Sequence, residues 1–438
     1  MKYKKIFVIS PPFYSHFNPL LVLAKSFQEQ GAEVTFGCSI EFKEKILKEN
    51  LAFYEIDINS NKNIGKGEHA IQPDTERIRL EEFFESTKKG AVETLITQSR
   101  HRKADMLYNP QQLIDKIKFI DEAMDVDLYV VDILSYSVTL SLYFLGLPFV
   151  TFCPPHPNTI PKEGRYFNVP KSWPEAITVE EEDLKMLKQV STQTQREFTE
   201  VFNSIIVENK SIKKISNAFS LVSEIAVIYN YFDFNDIEKN EENPKELFIG
   251  NSFEAVSLDE EWMEKIDTKE QKIMISLGTF LSNRKDVLEK LILSARESNP
   301  DALLIVSAGS NADELKKYSS PNTIIEGFIP QIALMQYVDT VVFHGGCNTL
   351  TEAMYHGKKM VILPFSSDQF NIAYDVEKNN LGRVLDPNNF STEELAKAFN
   401  DLEEASKDNL LHWRNISRER GADYAVKKIL EIEADDNV

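Results

Sequence analysis

Val341–Met354 reads VVFHGGCNTLTEAM. A short apolar run ends on His344 and the pair Gly345–Gly346, and Cys347, Asn348 and Thr349 then open a stretch with helical spacing that carries Glu352. A buried strand that passes through a glycine turn into a helix is the repeating unit of a doubly wound α/β sheet. In such sheets ligands bind beyond the carboxyl ends of the strands, which is where this junction lies. Glycine lets a backbone approach a ligand closely, and a helix N-terminus offers free amides and partial positive charge. The pattern has a plain structural reading, a tight turn capped by Asn or Thr. It also has a functional one, a cradle for an anion to which His344 can donate.

Two more strand ends in the same half have this character. In ISLGTF (Ile275–Phe280), Ser276, Gly278 and Thr279 follow an apolar run, and amides exposed by a glycine turn beside hydroxyls hold phosphate oxygens. In LPFSSDQFNIA (Leu363–Ala373), Asp368 and Gln369 begin a helix just past a strand, an acid and an amide suited to a polyhydroxylated sugar. Either site also reads as ordinary strand-to-helix punctuation, an acid at a helix start complementing the dipole. Glu352, one turn into its helix, is placed to accept from ribose hydroxyls.

Working outward, the rhythm repeats along the whole chain. KIFVIS, AEVTFGC, LAFYEIDI, DLYVVD and LPFVTFC read as strands in the first half, and KIMISLG, ALLIVSAG, TIIEGFI, TVVFHGG and KKMVILPF in the second. NPLLVLAKSFQEQG (Asn18–Gly31) reads as a helix with an Asn cap, an early proline and a terminal glycine. Residues 75–125 read as inserted charged helices, and Pro154–Pro174 as a long proline- and aromatic-rich loop of the functional kind. The expected organisation is an N-terminal Rossmann-like domain over 1–250, a polar linker over 251–271, a second Rossmann-like domain over 272–415 and one long terminal helix over 416–438.

Composition narrows the function. The chain has 438 residues, 42% hydrophobic and 27% charged, an ordinary globular balance for two domains. Asp and Glu number 69 against 49 Lys and Arg, a net charge of −20. Such a surface repels nucleic-acid backbones and anionic lipid, so neither a nucleic-acid partner nor a basic membrane anchor is expected. The apolar stretch Leu128–Val150 is interrupted by Asp132, serines and Gly-Leu-Pro and reads as strand, helix, strand rather than a membrane segment. Cys38, Cys153 and Cys347 form no CxxC pair, which argues against a zinc site or disulfide framework and fits a reducing cytoplasm. Oligomeric state has no signature here.

The segment GFIPQIALMQYVDTVVFHGGCNTLTEAMYHGKKMVILPFSSDQFNIA resembles the donor-binding signature of the family 1 glycosyltransferases. That family includes plant secondary-product glucosyltransferases and bacterial antibiotic or macrolide glycosyltransferases. The resemblance implies a GT-B fold, two Rossmann-like domains facing a central cleft with the C-terminal helix crossing back. It implies a UDP-sugar co-substrate and no cofactor. By position, Phe328 falls on the aromatic that stacks on uracil and Gln331 on a residue near the ribose. His344, Gly346, Asn348 and Thr349 fall on the diphosphate positions, Glu352 on the ribose carboxylate, and Asp368 with Gln369 on the sugar-hydroxyl pair, Gln369 pointing to glucose. The family's Gly-Val-Pro is replaced here by Gly357-Lys358-Lys359.

In the first half, SPPFYSHFNP (Ser10–Pro19) places His16 in the loop before the first helix, where it resembles the family's catalytic histidine. Asp132 closes strand LYVVD on the position of the acid that orients it. The scheme implied is inverting transfer: His16 takes a proton from an acceptor hydroxyl while the helix after Gly346 and the side chains of His344 and Thr349 meet the charge on the leaving diphosphate, without a metal. Asp125–Asp127 (DVD) precedes its strand rather than following one, so it reads as a solvated turn and not a metal-binding DxD. The aromatics Phe13, Tyr14, Phe83, Phe84, Tyr166 and Phe167 are candidates for a pocket binding a small hydrophobic acceptor such as a polyketide, macrolide or phenolic. Any one of them reads first as ordinary core. Three alternatives stand beside this reading. A nicotinamide-dependent oxidoreductase lacks its GxGxxG, SPPFYS standing in its place. A non-catalytic nucleotide-sugar-binding protein would have no use for His16 with Asp132. A lipid glycosyltransferase at a membrane surface is disfavoured by the acidic charge.

Overall fold

The computed structural model describes residues 3–59, 62, 74–105, 107–209, 211–234, 245–402 and 407–431; the side chains of 74–76, 103–105 and Thr279 also fall outside that description. The first sheet is built from β1 (Lys5–Ile9), β2 (Glu33–Cys38), β3 (Ala52–Glu55), β4 (Leu128–Asp132), β5 (Phe149–Cys153), β6 (Ala226–Tyr229) and β7 (Lys245–Phe248), in the order β3-β2-β1-β4-β5-β6-β7. The second contains β8 (Lys272–Ser276), β9 (Leu303–Ser307), β10 (Thr323–Glu326), β11 (Thr340–Phe343), β12 (Lys359–Ile362) and β13 (Gly382–Val384), in the order β10-β9-β8-β11-β12-β13. Every ladder is parallel. Parallel strands need crossovers that cover both faces, so the central strands are apolar throughout: Phe7, Val8 and Ile9, or Val341, Val342 and Phe343, are fully buried.

Each sheet reverses its winding once, between β1 and β4 in the first and between β8 and β11 in the second. A crevice opens at the carboxyl edge of such a reversal because neighbouring crossovers leave on opposite faces. The register sets Ile9 opposite Val131 and Phe343 opposite Ser276, so the loops after Ser10, Asp132, Ser276 and Phe343 meet at these two crevices.

The helices that matter to the site are α1 (Tyr14–Glu29), α2 (Asp74–Lys89), α3 (Ala91–Asp105), α4 (Pro110–Met124), α5 (Glu181–Ile206), α6 (Cys347–His356), α7 (Gln369–Lys378), α8 (Lys407–Glu419) and α9 (Ala422–Glu431). Two expectations are corrected. The first helix begins at Tyr14, so Asn18 is not its cap, Pro19 lies inside it and His16 sits in its first turn rather than in a preceding loop. Phe13, extended at φ −118°, is the residue before the helix, and its carbonyl already accepts from the amides of His16 and Phe17. The long terminal helix is two helices broken at Gly421, whose φ of +93° is a left-handed conformation that ends α8 and costs a residue with a Cβ. The break turns the chain: the Gly421 amide donates to the Ile249 carbonyl at 2.8 Å, and α9 packs Ala422, Ala425, Val426 and Ile429 into the core of the first sheet.

The two sheets share one apolar core. Tyr229, Tyr231, Phe232 and Phe234, at and beyond the end of β6, pack with Leu350, Ala353 and Met354 of α6 and with Trp413 of α8. The inserted helix α2 also leans on the second sheet's side: Phe83 packs against that domain's core, and the Arg284 guanidinium and the Asn388 amide donate to Thr87 at 3.2 and 2.9 Å. Among the described residues no helix is long and apolar enough to cross a membrane. The stretch Leu128–Val150 is β4, the helix Tyr136–Leu145 and the start of β5.

Candidate active site

His16 and Asp132 stand at the reversal of the first sheet. Nδ1 of His16 lies 2.8 Å from Oδ2 of Asp132. The carboxylate is completely buried and its other oxygen, Oδ1, accepts from the Leu134 amide at 2.8 Å. A buried acceptor-only carboxylate demands a donor, so Nδ1 carries the proton and the Nε2 lone pair is left for chemistry. The imidazole keeps 15% of its surface exposed, enough for a small reactant to reach it. The two residues are separated by 116 positions, and the β1–β4 pairing alone brings them together.

At the reversal of the second sheet the imidazole of His344 is slotted between two glycines. A Cβ on Gly278 would come within 2.7 Å of its Cε1, and one on Gly346 within 2.5 Å of its Nε2, so both positions exclude side chains. Gly278 further needs its left-handed φ of +73°. Burial lowers the His344 pKa to about 4, an effect that the Ser276 backbone partly opposes. His344 is therefore neutral at physiological pH and offers one hydrogen bond but no charge. The remaining compensation for an anion comes from the free amides of α6, which starts just past Gly346.

Gln331, Thr349 and Glu352 form one cluster. Nε2 of Gln331 donates to Oε2 of Glu352 at 2.7 Å and to Oγ1 of Thr349 at 3.1 Å. Burial raises the Glu352 pKa to about 7, the Gln331 bond opposing it. A carboxyl so enclosed is poised to accept further hydrogen bonds from a bound group. Close by in the chain, Phe328 stands 72% exposed just past β10, an aromatic face open for stacking.

Asp368 and Gln369, assigned to the sugar hydroxyls by resemblance, point in different directions. Asp368 is held across the domain boundary, its Oδ2 accepting from the His156 amide at 2.9 Å, and burial raises its pKa. Gln369 instead folds back on its own turn: Oε1 accepts from the Phe365 and Ser366 amides at 2.9 and 3.1 Å, and Nε2 donates to the Ser366 hydroxyl. Its amide locks the turn rather than facing outward.

Asn348, assigned to the diphosphate by resemblance, points to the first domain, Nδ2 donating to the Ser15 carbonyl at 2.8 Å. Ser276 is buried at the end of β8, and the Thr279 side chain lies outside what is described.

The acceptor candidates divide. Phe13 sets its ring edge-on to His16, centroids 6.2 Å apart. Tyr14 turns away beneath the Lys45 ammonium, 4.2 Å from its ring. Phe167 is core, stacked on Phe219 at 3.8 Å, because it falls between α5 and the helix Tyr136–Leu145. Phe83 packs on the second domain with Phe84 beside it at 5.5 Å, and Tyr166 lines a cleft on the outer face of α5. Of the six, only Phe13 is brought to His16. The Asp125–Asp127 turn lies at the opposite end of the sheet, where Oδ2 of Asp127 accepts from the Lys4 and Lys5 amides.

Three contacts escaped the sequence reading. His156, in the Pro154–Pro174 loop, donates from Nε2 to Asp375 of α7 at 2.9 Å, its Nδ1 accepting from the Asn158 amide. The Tyr231 hydroxyl donates to the same Asp375 oxygen at 2.9 Å. Gln98 of α3 pairs reciprocally with Ser367, at 2.7 and 3.1 Å, and so braces a residue whose φ is +53°. Only the length and composition of the Pro154–Pro174 loop signalled any of these.

Comparison with known proteins gives the family and the fold. The sequence profile of the family described as UDP-glucuronosyl and UDP-glucosyl transferase matches residues 160–428. An NDP-glycosyltransferase of Bacillus subtilis, YjiC, is 22% identical over 99% of this chain and 98% of its own length. An uncharacterized UDP-glucosyltransferase of the same organism, YojK, is 23% identical over 44% of this chain, and the match spans 47% of that relative, less than half. Among solved structures, the glycosyltransferase of kitacinnamycin superposes with a TM-score of 0.68 at 16% identity, covering 98% of this chain and 99% of that one. The spinosyn forosaminyltransferase SpnP gives 0.67 at 16% identity, over 99% and 100%. These likenesses show the GT-B fold.

Proposed function

The chain belongs to the UDP-glucuronosyl and UDP-glucosyl transferase family, and we propose that it transfers a hexose from a UDP-sugar to a hydroxyl of a small hydrophobic acceptor with inversion at the anomeric carbon. The observation that carries this reading is the His16–Asp132 pair, with Nδ1 committed to a fully buried carboxylate and Nε2 free. Nε2 takes the proton of the acceptor O–H. The oxygen forms its bond to the anomeric carbon from the face opposite the diphosphate, and the bond from that carbon to the diphosphate oxygen breaks with its electron pair leaving on UDP. Asp132 stabilises the imidazolium that results. The N-terminal amides of α6 and the single N–H of His344 meet the charge on the leaving group by oriented dipoles. Glu352 and Gln331 fit the ribose, Phe328 the uracil face, and Asp368 the sugar hydroxyls nearest His16. The family resemblance favours glucose, and three buried thiols suit a reducing cytoplasm. Testing UDP-sugars against phenolic, macrolide and polyketide hydroxyls, with products weighed by mass spectrometry and their anomeric configuration read by NMR, decides the reading. A retained configuration would overturn the displacement scheme.

Donor affinity is expected to depend on pH through Glu352. Ribose hydroxyls donate, so they favour the ionised carboxylate, and the pKa falls on binding from about 7 in the free protein. Binding thus releases a proton, and UDP-glucose affinity weakens by up to about tenfold for each pH unit below 7, levelling off above it. UDP-glucose is the right probe because its diester phosphates do not titrate in this range. Calorimetry in buffers of different ionisation enthalpy reads the proton release directly. A dissociation constant that is flat from pH 6 to 8, or a slope that persists in Glu352→Gln, would contradict the assignment.

Transfer is also expected to proceed without a divalent cation. The side chains assigned to the diphosphate are hydroxyls, an amide and a neutral imidazole beside a helix N-terminus, a donor set made for the anion itself rather than for a metal. After exhaustive dialysis the rate should be unchanged by excess EDTA. Loss on chelation with specific recovery on Mn²⁺ or Mg²⁺ would show the leaving-group chemistry to be wrong even with the fold right.

A further inference from the structure

Pro19 lies inside α1, and its ring nitrogen has no hydrogen to donate. The carbonyl that loses its partner is four residues back, at Ser15, directly before His16. A donor from the other domain takes it up: Nδ2 of Asn348, the second residue of α6, reaches the Ser15 oxygen at 2.8 Å. The rest of that amide is anchored as well. Its Oδ1 accepts from Nδ2 of Asn230 at 3.3 Å, Asn230 being almost fully buried just past β6. The thiol of the adjoining Cys347 contacts the Asn230 carbonyl at 3.1 Å. An amide nitrogen carries two hydrogens. One is committed to the helix that bears the base, and the half-buried side chain has a second to offer at the helix start, where the leaving diphosphate is placed above.

We propose that Asn348 is a positioning residue that couples the leaving-group site to the base. With donor bound, its Nδ2 donates at once to the Ser15 carbonyl and to a diphosphate oxygen, so that occupancy of α6 holds the first turn of α1, and with it His16, in the reacting position. The coupling rests on the reading of α6 as the diphosphate site. Pro19 is the second half of the device. Any other residue there would present an amide to Ser15 from within α1 and compete with Asn348.

Hydrogen exchange of the full chain with and without saturating UDP tests this. In the wild type, UDP should slow exchange at the start of α6 and also in the first turns of α1. In Asn348→Ala the protection of α6 persists while that of α1 is lost. Pro19→Ala leaves Asn348 in place and supplies the competing amide, so it too should lose the α1 response, which keeps the test open if Asn348→Ala binds UDP too weakly to saturate. The two substitutions should also be non-additive. Asn348→Ala should lower kcat by about tenfold in the wild type and by clearly less on the Pro19→Ala background. Equal α1 protection in wild type and both variants, or full additivity in kcat, overturns the coupling. If UDP protects nothing at α6 in the wild type, the diphosphate reading fails instead, a result distinct from loss of the α1 response alone.

Discussion

Replacing His16 with alanine is expected to lower the transfer rate by about 10²–10⁴ and to leave UDP affinity nearly unchanged. The rate falls because Nε2 is the group that the Asp132 bond leaves free to accept a proton. Affinity survives because His16 belongs to the first sheet, whereas Phe328, Gln331, Thr349 and Glu352 belong to the second. Asp132→Asn should be similarly slow for a reason specific to this site. Oδ1 already takes the Leu134 amide, so the replacement amide turns its NH₂ toward Nδ1 of His16. Nδ1 then becomes the acceptor, the proton moves to Nε2, and the base is lost through the wrong tautomer. Single-turnover transfer read by mass spectrometry, with UDP binding measured on the same samples, separates the two quantities. Turnover near the wild-type rate in His16→Ala, with any acceptor, would remove His16 from the mechanism.

The second large effect is on stability. Asp375 is a buried carboxylate on α7 that receives Nε2–H of His156 and the hydroxyl of Tyr231, both from the first domain. Asp375→Ala leaves two buried donors without an acceptor. Each such orphan costs about 1–3 kcal/mol, so the loss is on the order of 2–6 kcal/mol, concentrated at the domain boundary. Tyr231→Phe removes one donor together with its need and should cost about 1 kcal/mol. The same change on the Asp375→Ala background should cost less or stabilise, because the hydroxyl there has nothing to donate to. Urea unfolding of the single and double variants gives these numbers. An Asp375→Ala midpoint equal to that of Tyr231→Phe would mean that water replaces the lost acceptor and that the cluster is less buried than the 5% exposure of Asp375 and the 1% of His156 indicate. Because the His156 amide also holds Asp368, activity should fall with this stability rather than independently of it.

Much of this is legible in the sequence. The β1 run ending at Ile9 and the β11 run ending at Phe343 announce themselves, because parallel strands covered on both faces must be apolar without alternation. His344 next to a glycine pair was legible for the same local reason: a turn, a close approach and a helix start are all encoded within a few residues. Errors arose where local signals compete. Asn18-Pro19 reads as a cap and first-turn proline, yet the helix starts at Tyr14 because the Phe13 carbonyl is available to the His16 and Phe17 amides. Gly421 inside a helical pattern reads as tolerable, but the left-handed turn there is what lets α9 reach the first sheet. Among aromatics, Phe167 and Phe13 are alike in sequence, and only packing separates a stacked core ring from one that borders His16.

What the sequence determined by itself is everything set by neighbours along the chain: two parallel α/β sheets, the strand ends that carry the candidate binding side chains, and the spacing of Asn348, Thr349 and Glu352 along α6. What only the tertiary structure decided is set by distance across the chain. The union of Nδ1 of His16 with Asp132 depends on β1 lying beside β4. The hold of His156 on Asp368 and Asp375, and of Asn348 on the carbonyl that Pro19 leaves without a partner, depends on how two separately wound sheets meet. Those contacts join polar atoms more than 200 positions apart, and they have no periodicity to betray them. A hydrogen bond needs its partners within about 3 Å, and no residue's own preference can specify a partner in another domain.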